Sequence, residues 1–203
     1  MTTTEELLGL MRRRRSVRRF RPAPVAEAQV RRVLEAARLA PSAHNRQPWR
    51  FVVLAEERQR ARLADAMAAR LRADRVADGA DPEDVEADAA RSRDRLTQAP
   101  CAILVCLTLQ AMDRYPDTRR SAAEERMAVQ SVAMAGENLL LAAAAEGLAA
   151  CWMCAPLFAP QEARLALDLP DEWDPQGIVL LGEPAENPRP RGRLSLEELT
   201  LWR

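Results

Sequence analysis

The chain has 203 residues, 48% of them apolar and 30% charged, and its 30 basic and 30 acidic residues leave no formal net charge. A chain of this length and apolar content can bury a core without disulfide or metal staples, and its charge balance is not that of a general nucleic-acid binder. Every basic residue is Arg and the one histidine is His44, which excludes lysine Schiff-base chemistry, a P-loop lysine and any multi-histidine metal site.

The N-terminus passes from Met1 through Thr and Glu into an Arg run with no long apolar stretch. No signal peptide is expected, and the four cysteines are expected in a reducing cytoplasm. Residues 3–13 read as a short helix capped by Thr3 or Thr4. Val25, Val30, Val33, Leu34 and Ala37 have helical spacing over 24–40, with Pro24 in the first turn and Pro41 as the stop. Residues 41–48 are a loop by composition, and Trp49 to Leu54 is a strand. Two polar helices follow at 56–76 and 83–97, joined by the turn 78–82, and this pair is expected to be the most solvent-exposed section.

Ala99 to Thr108 reads as a buried strand, and 109–120 as a polar loop holding the only tyrosine, Tyr115. A long helix over 121–146 ends at Gly147. Its middle is apolar on nearly every face, so it is expected to be central and to need a second subunit to cover it. Gln130, Glu137 and Asn138 interrupt it, and no membrane span is expected. Strands at 149–153 and 177–182 flank a short helix at 160–168, and the Pro- and Arg-rich tail 184–203 is expected to pack on a partner chain. Helices separating strands give an α+β or α/β chain with four or five strands, organised as one domain over 1–203. The seven glycines make no dinucleotide fingerprint. Cys151 and Cys154 have metal or redox spacing, but opposite parity points them apart, as it does Cys101 and Cys106. All four read as small core residues, and no metal site is expected.

Seven of the ten residues 12–21 are Arg, around Ser16. Guanidinium forks bind phosphate, and a hydroxyl adds a hydrogen bond. The alternative is a solvated basic arm that binds nucleic acid or a partner protein. A second cluster, Arg191 and Arg193, stands near the other end; spacing alone does not say whether the two converge.

The run Arg14-Arg15-Ser16-Val17-Arg18-Arg19-Phe20, followed by Ala40-Pro41-Ser42-Ala43-His44-Asn45-Arg46-Gln47-Pro48-Trp49-Arg50-Phe51, resembles the two N-terminal signatures of the FMN-dependent nitroreductase family. The resemblance continues through Glu146-Gly147-Leu148 and Gly182-Glu-Pro to the Arg191/Arg193 tail. It implies an α+β fold with a mostly antiparallel sheet of four or five strands, in an intertwined homodimer with FMN at the subunit interface. It implies that Arg14, Arg15, Ser16 and Arg18 hold the phosphate, ribityl chain and pyrimidine edge, and that Arg191 and Arg193 close on the phosphate. Pro41, Ser42, Ala43 and Asn45 would line the flavin ring of the other subunit, and Met153, Cys154 and Ala155 would lie beside N(5). Many members carry an acidic residue and Gly where this chain has Cys154-Ala155. The flavin carries the chemistry, with no catalytic acid or base required, and NAD(P)H can serve as reductant without a dedicated motif.

Tyr115-Pro116-Asp117, Cys151-Trp152, Phe158-Ala159, Leu167-Asp168-Leu169-Pro170 with Trp173, and the ending Leu201-Trp202-Arg203 are similar to one branch. That branch is the FMN-binding C-terminal reductase domain attached to the gamma-glutamyl ligase of coenzyme F-420 synthesis. It implies reduction of the enol double bond of dehydro-F-420-0; a general NAD(P)H-dependent nitro- or quinone reductase is the rival. The candidates for substrate contact are Arg46 and Arg50, as cations for an anionic substrate, with Tyr115 and His44; His44 reads more readily as a loop histidine without a catalytic role.

Overall fold

The computed structural model describes residues 3–188 and 190–203. Its centre is β2 (Cys101–Leu107), a fully buried strand whose unbroken apolar run suits a position with both faces covered. β1 (Trp49–Leu54) and β4 (Asp174–Gly182) pair with it on either side, and β3 (Ala149–Met153) pairs with β4. All three pairings are antiparallel, in the order β1-β2-β4-β3. The fold is therefore α+β, with four strands.

Strand alternation sends Ile103, Val105, Val179 and Leu181 to one face, where α2 (Glu27–Arg38) and α5 (Thr118–Ala145) cover them with Val33, Val132 and Leu139. It sends Ala102, Leu104, Ile178 and Leu180 to the other, under α3 (Glu57–Ala77), α4 (Pro82–Thr97) and α6 (Pro160–Ala166). The α3–α4 pair is thus less exposed than its composition suggests: Leu63, Met67, Val85 and Leu96 are buried. Cys101 joins one cluster and Cys106 the other, as parity requires. Cys154, in contrast, is exposed rather than in the core.

Several boundaries move. α1 (Thr4–Arg13) starts at a reciprocal Thr3–Glu6 capping box. α2 starts at Glu27, leaving Pro24 outside, because extended Ala26 is its N-cap. α5 begins at Thr118 because the Asp117 side chain accepts the backbone N–H of Arg120. β4 begins at Asp174, and an irregularity between Val105 and Cys106 accommodates Pro175.

α5 is central, with Ala128, Val132, Ala135 and Leu139 in the core. It is long and apolar enough to cross a membrane, a test that the core helix of a globular protein also passes; here it packs on the sheet and α2. It is not covered all round, since Val129 and Met134 are 39% and 40% exposed. On the tail, Leu196, Leu201 and Trp202 lie open at 74%, 74% and 89%, next to the short α7 (Leu196–Leu199).

Candidate functional site

The two Arg clusters converge. Arg14, Arg15, Ser16 and Arg18 line one cavity of ≈ 310 Å³ together with Arg191 and Arg193. α1 ends just before the cluster, and Arg15 caps it by donating to the carbonyls of Arg12 and Arg14. The segment then runs into the fold: Val17 is buried and its N–H donates to the Ala150 carbonyl, which ties Ser16 alongside β3. Glu186 is the one acidic lining residue among those described. Glu137 on α5 approaches Arg14 at 3.9 Å. Five guanidinium groups around one cavity repel one another unless an anion joins them, so the donor set fits a phosphate.

β3 leads away from the cradle. From Ala150, beside Ser16, to Met153 is three residues, about 10 Å of strand. Met153 is the last residue of β3, and Cys154 and Ala155 lie in the turn that follows. Trp152 is held by two glycines. A Cβ on Gly177 would lie 2.2 Å from the ring and one on Gly136 2.6 Å, so neither position accepts a side chain while the indole stays. Burial pushes the Cys151 thiol up, against the opposing pull of Arg18, Arg95 and Arg14.

The 41–48 loop lies at the opposite end of the sheet, ahead of Trp49. His44, Asn45 and Gln47 all have positive φ, between 50° and 53°. Three left-handed residues without a glycine store strain that neighbours must hold. The Gln47 N–H donates to Ser42 Oγ at 3.0 Å, and the Ala43 N–H to Ser131 Oγ of α5 at 3.3 Å. Pro41, His44 and Asn45 are exposed, whereas Ser42 and Ala43 are half-buried. Arg46 pairs with Asp113 at 2.7 Å, fastening this loop to the one before α5. Arg50 turns back onto the carbonyls of Gln47 and Trp49. Tyr115 carries Arg120 over its ring at 4.7 Å.

Within one chain, the cradle and the 41–48 loop are therefore separate. Each touches α5, the loop at Ser131 and the cradle at Glu137. Those positions are about 9 Å apart along the axis and roughly 120° around it. Glu137, Ser131, Glu186 and Asp113 take part in these contacts and were not singled out from sequence. An acid at 113, 137 or 186 and a serine at 131 are ordinary on a helix or loop surface, and only the folded chain reveals what each faces.

Residues 11–183 match the model of the Nitroreductase family. A 5,6-dimethylbenzimidazole synthase of Rhodospirillum rubrum is 35% identical over 187 residues, covering 88% of this chain and 82% of that protein. An NADH dehydrogenase of Thermus thermophilus is 34% identical, covering 94% and 93%. Among solved structures, a protein assigned to the nitroreductases from Desulfovibrio desulfuricans, in complex with FMN, is 29% identical with a TM-score of 0.74, over 100% of this chain and 98% of that one.

Proposed function

We propose an FMN-dependent reductase acting on a small molecule, because the chain belongs to the nitroreductase family. The observation that carries this reading is the convergence of Arg14, Arg15, Ser16, Arg18, Arg191 and Arg193 on one cavity. These residues would hold the phosphate and ribityl chain, with Arg18 toward the pyrimidine edge. FMN, when bound, supplies hydride transfer between a nicotinamide reductant and the substrate. The protein's part is to bind, orient and shield. The Trp152 slot fixes the exit of β3, so that the backbone of 153–155 keeps one position relative to the cradle. Ser42 and Ser131 hold the strained 41–47 backbone in one shape.

The functional unit is a homodimer. The separation of cradle and loop within one chain, the open side of α5 at Val129 and Met134, and the uncovered tail around Trp202 all support it. Pro41, Ser42, Ala43 and Asn45 would then face the flavin held by the partner's arginines. Such an interface should bury more than ~2,000 Å².

For the substrate, the finer reading is the enol double bond of dehydro-F-420-0, supported by the run from Tyr115 to Asp117 and the Trp152, Trp173 and Trp202 contexts. The second reading, a general NAD(P)H-dependent nitro- or quinone reductase, is favoured by the Thermus relative. It is also favoured by Arg46 and Arg50 being engaged: an anionic substrate would have to draw Arg46 from Asp113. The experiment is to load the protein with FMN, reduce it anaerobically with dithionite, remove excess reductant and add dehydro-F-420-0. Flavin reoxidation with formation of F-420-0 supports the first reading. Inertness to that compound with prompt reoxidation by nitroaromatics or quinones selects the second, and a chain that takes up no FMN overturns both.

A further inference from the structure

The side of the sheet under α3 and α4 holds a cavity that shares no lining residue with the Arg cradle. It encloses ≈ 420 Å³ between α3, α4 and the turn that follows β3. Its wall is mostly apolar: Met67 and Leu71 come from α3, and Ala155, Phe158 and Ala159 from the turn. Met67 and Ala159 are buried, whereas Phe158 is 75% exposed. A large aromatic left open beside an apolar cavity is surface that a ligand can cover.

Arg75 is the one basic lining residue among those described. The other arginines of α3 all have partners. Arg58 pairs with Glu56, Arg62 with Asp168, Arg70 with Asp74 and Arg72 with Glu86, while Arg60 donates to the carbonyls of Leu54 and Ala55. Arg75 is half-buried, makes no hydrogen bond or ion pair among the described residues, and has its Nε sealed from water. Burying a polar N–H without a partner is costly, and folded proteins almost always supply one. The terminal amino groups of Arg75 are not sealed, so they are the part of the guanidinium that a ligand can reach.

Two carboxylates also line the cavity. Asp74 is held by Arg70 at 2.9 Å, and Asp78 stands exposed beyond the end of α3. With these acids nearby, one guanidinium balances a single negative charge but not a phosphate dianion. A carboxylate matches the guanidinium fork and carries that single charge. Apolar walls with a few polar anchors suit a small organic ligand, and Ser92 of α4 adds a hydroxyl to the lining.

We propose that this cavity binds a monocarboxylate carried on a flat apolar body, with the Arg75 guanidinium taking the carboxylate and Met67, Leu71 and Phe158 enclosing the body. The site is additional to the flavin site, and it does not rest on the flavin reading.

The test is calorimetric titration of the full-length protein, in the presence of saturating FMN, with 2-naphthoate and with its neutral counterpart 2-naphthamide. FMN keeps the cradle arginines from taking the probe. Arg75→Gln removes the charge at a half-buried helix position, and Phe158→Ala removes the open part of the wall. Saturable binding of 2-naphthoate is expected, weakened about 10-fold or more by Arg75→Gln and less by Phe158→Ala. 2-Naphthamide should bind the wild type about as weakly as 2-naphthoate binds Arg75→Gln. Absence of saturable 2-naphthoate binding in the wild type overturns the proposal. So does equal binding by the wild type and Arg75→Gln. Should Arg75→Gln fail to fold, the wild type alone decides: equal affinity for the acid and the amide overturns the site. A chain that takes up no FMN fails the flavin reading, and the comparison of wild type with Arg75→Gln then decides this one by the same outcomes.

Discussion

The two ends of the sheet differ in sign. At the end where β3 begins, five arginines face one glutamate; at the end where β4 begins, five carboxylates face one arginine. A net charge of zero thus conceals two strongly polarised cavities. Both ends leave most of their like charges in reach of water. Ser16, Arg18, Arg191 and Arg193 are exposed, so water screens the repulsion among the arginines. At the acidic end Asp113, Glu125 and Glu172 are exposed as well, Asp174 is half-buried, and Glu124 is the one buried carboxylate. Charge balance over a whole chain therefore excludes only partners that read the average field. It says little about a ligand that enters one cavity.

The largest expected effect comes from stripping the basic end. Replacing Arg191 and Arg193 together by Ala removes two guanidinium groups from exposed positions, so folding should be spared. Charge-assisted hydrogen bonds contribute about 1.5–3 kcal/mol each, so FMN should bind roughly 10²- to 10⁴-fold more weakly. Flavin fluorescence quenching measures this directly. Unchanged affinity would separate the tail from the cradle.

Between the ends stands Trp152, and Gly177→Ala tests whether it fixes their relation. The new Cβ would sit 2.2 Å from the indole, so ring or strand must shift, typically costing about 1–3 kcal/mol. Urea denaturation should show that loss, and the Trp152 fluorescence should change. A variant as stable as the wild type would mean that the ring has a second place to go.

Arg18→Ala sharpens the comparison within the cradle. If Arg18 lies toward the pyrimidine edge, its charge favours reduced over oxidised flavin. Losing it should lower the two-electron potential of bound FMN by about 30–65 mV, the equivalent of about 1.5–3 kcal/mol. A potential that does not move, in a folded and FMN-loaded variant, would leave Arg18 as a phosphate contact only.

The basic end was legible in the sequence because its members are contiguous: seven of ten residues at one end of the chain, two of three at the other. The fold was needed only to show that they meet. The acidic end was not legible. Its carboxylates come from 113–125 and 172–174, and the β2–β4 register brings them together. Glu124, in an Ala-Ala-Glu-Glu-Arg run, reads as a solvated helix residue. The helices and strands expected from the sequence all form, the short α7 in the tail was not foreseen, and β1 and β3 kept their expected bounds. The miss at β4 came from Pro175, which signals a turn but here sits against the irregularity in β2. The positive φ of His44, Asn45 and Gln47 had no signal either, because their strain is held by Ser42 and by Ser131 far along the chain.

The smallest effect belongs to Asp174, the acidic end's titrating group. Burial raises its pKa above the usual carboxylate value, with a further push from Glu125 and opposing pulls from Arg164 and the Gln176 hydrogen bond. A raised native pKa means that the folded state holds the proton more tightly than the unfolded chain. Stability from this group is then greatest at low pH and falls as pH rises from the ordinary carboxylate value through the raised one. The paired acids run the other way: the Arg32 hydrogen bond lowers Glu146, and Arg120 lowers Asp117. Both lose stability as pH falls. Asp174→Asn should remove only the first component. Its urea midpoint should equal or exceed that of the wild type at pH 7, and the advantage should shrink as the pH is lowered toward 4. An advantage that instead grows on acidification would show that the Asp174 carboxylate is held charged in the native protein.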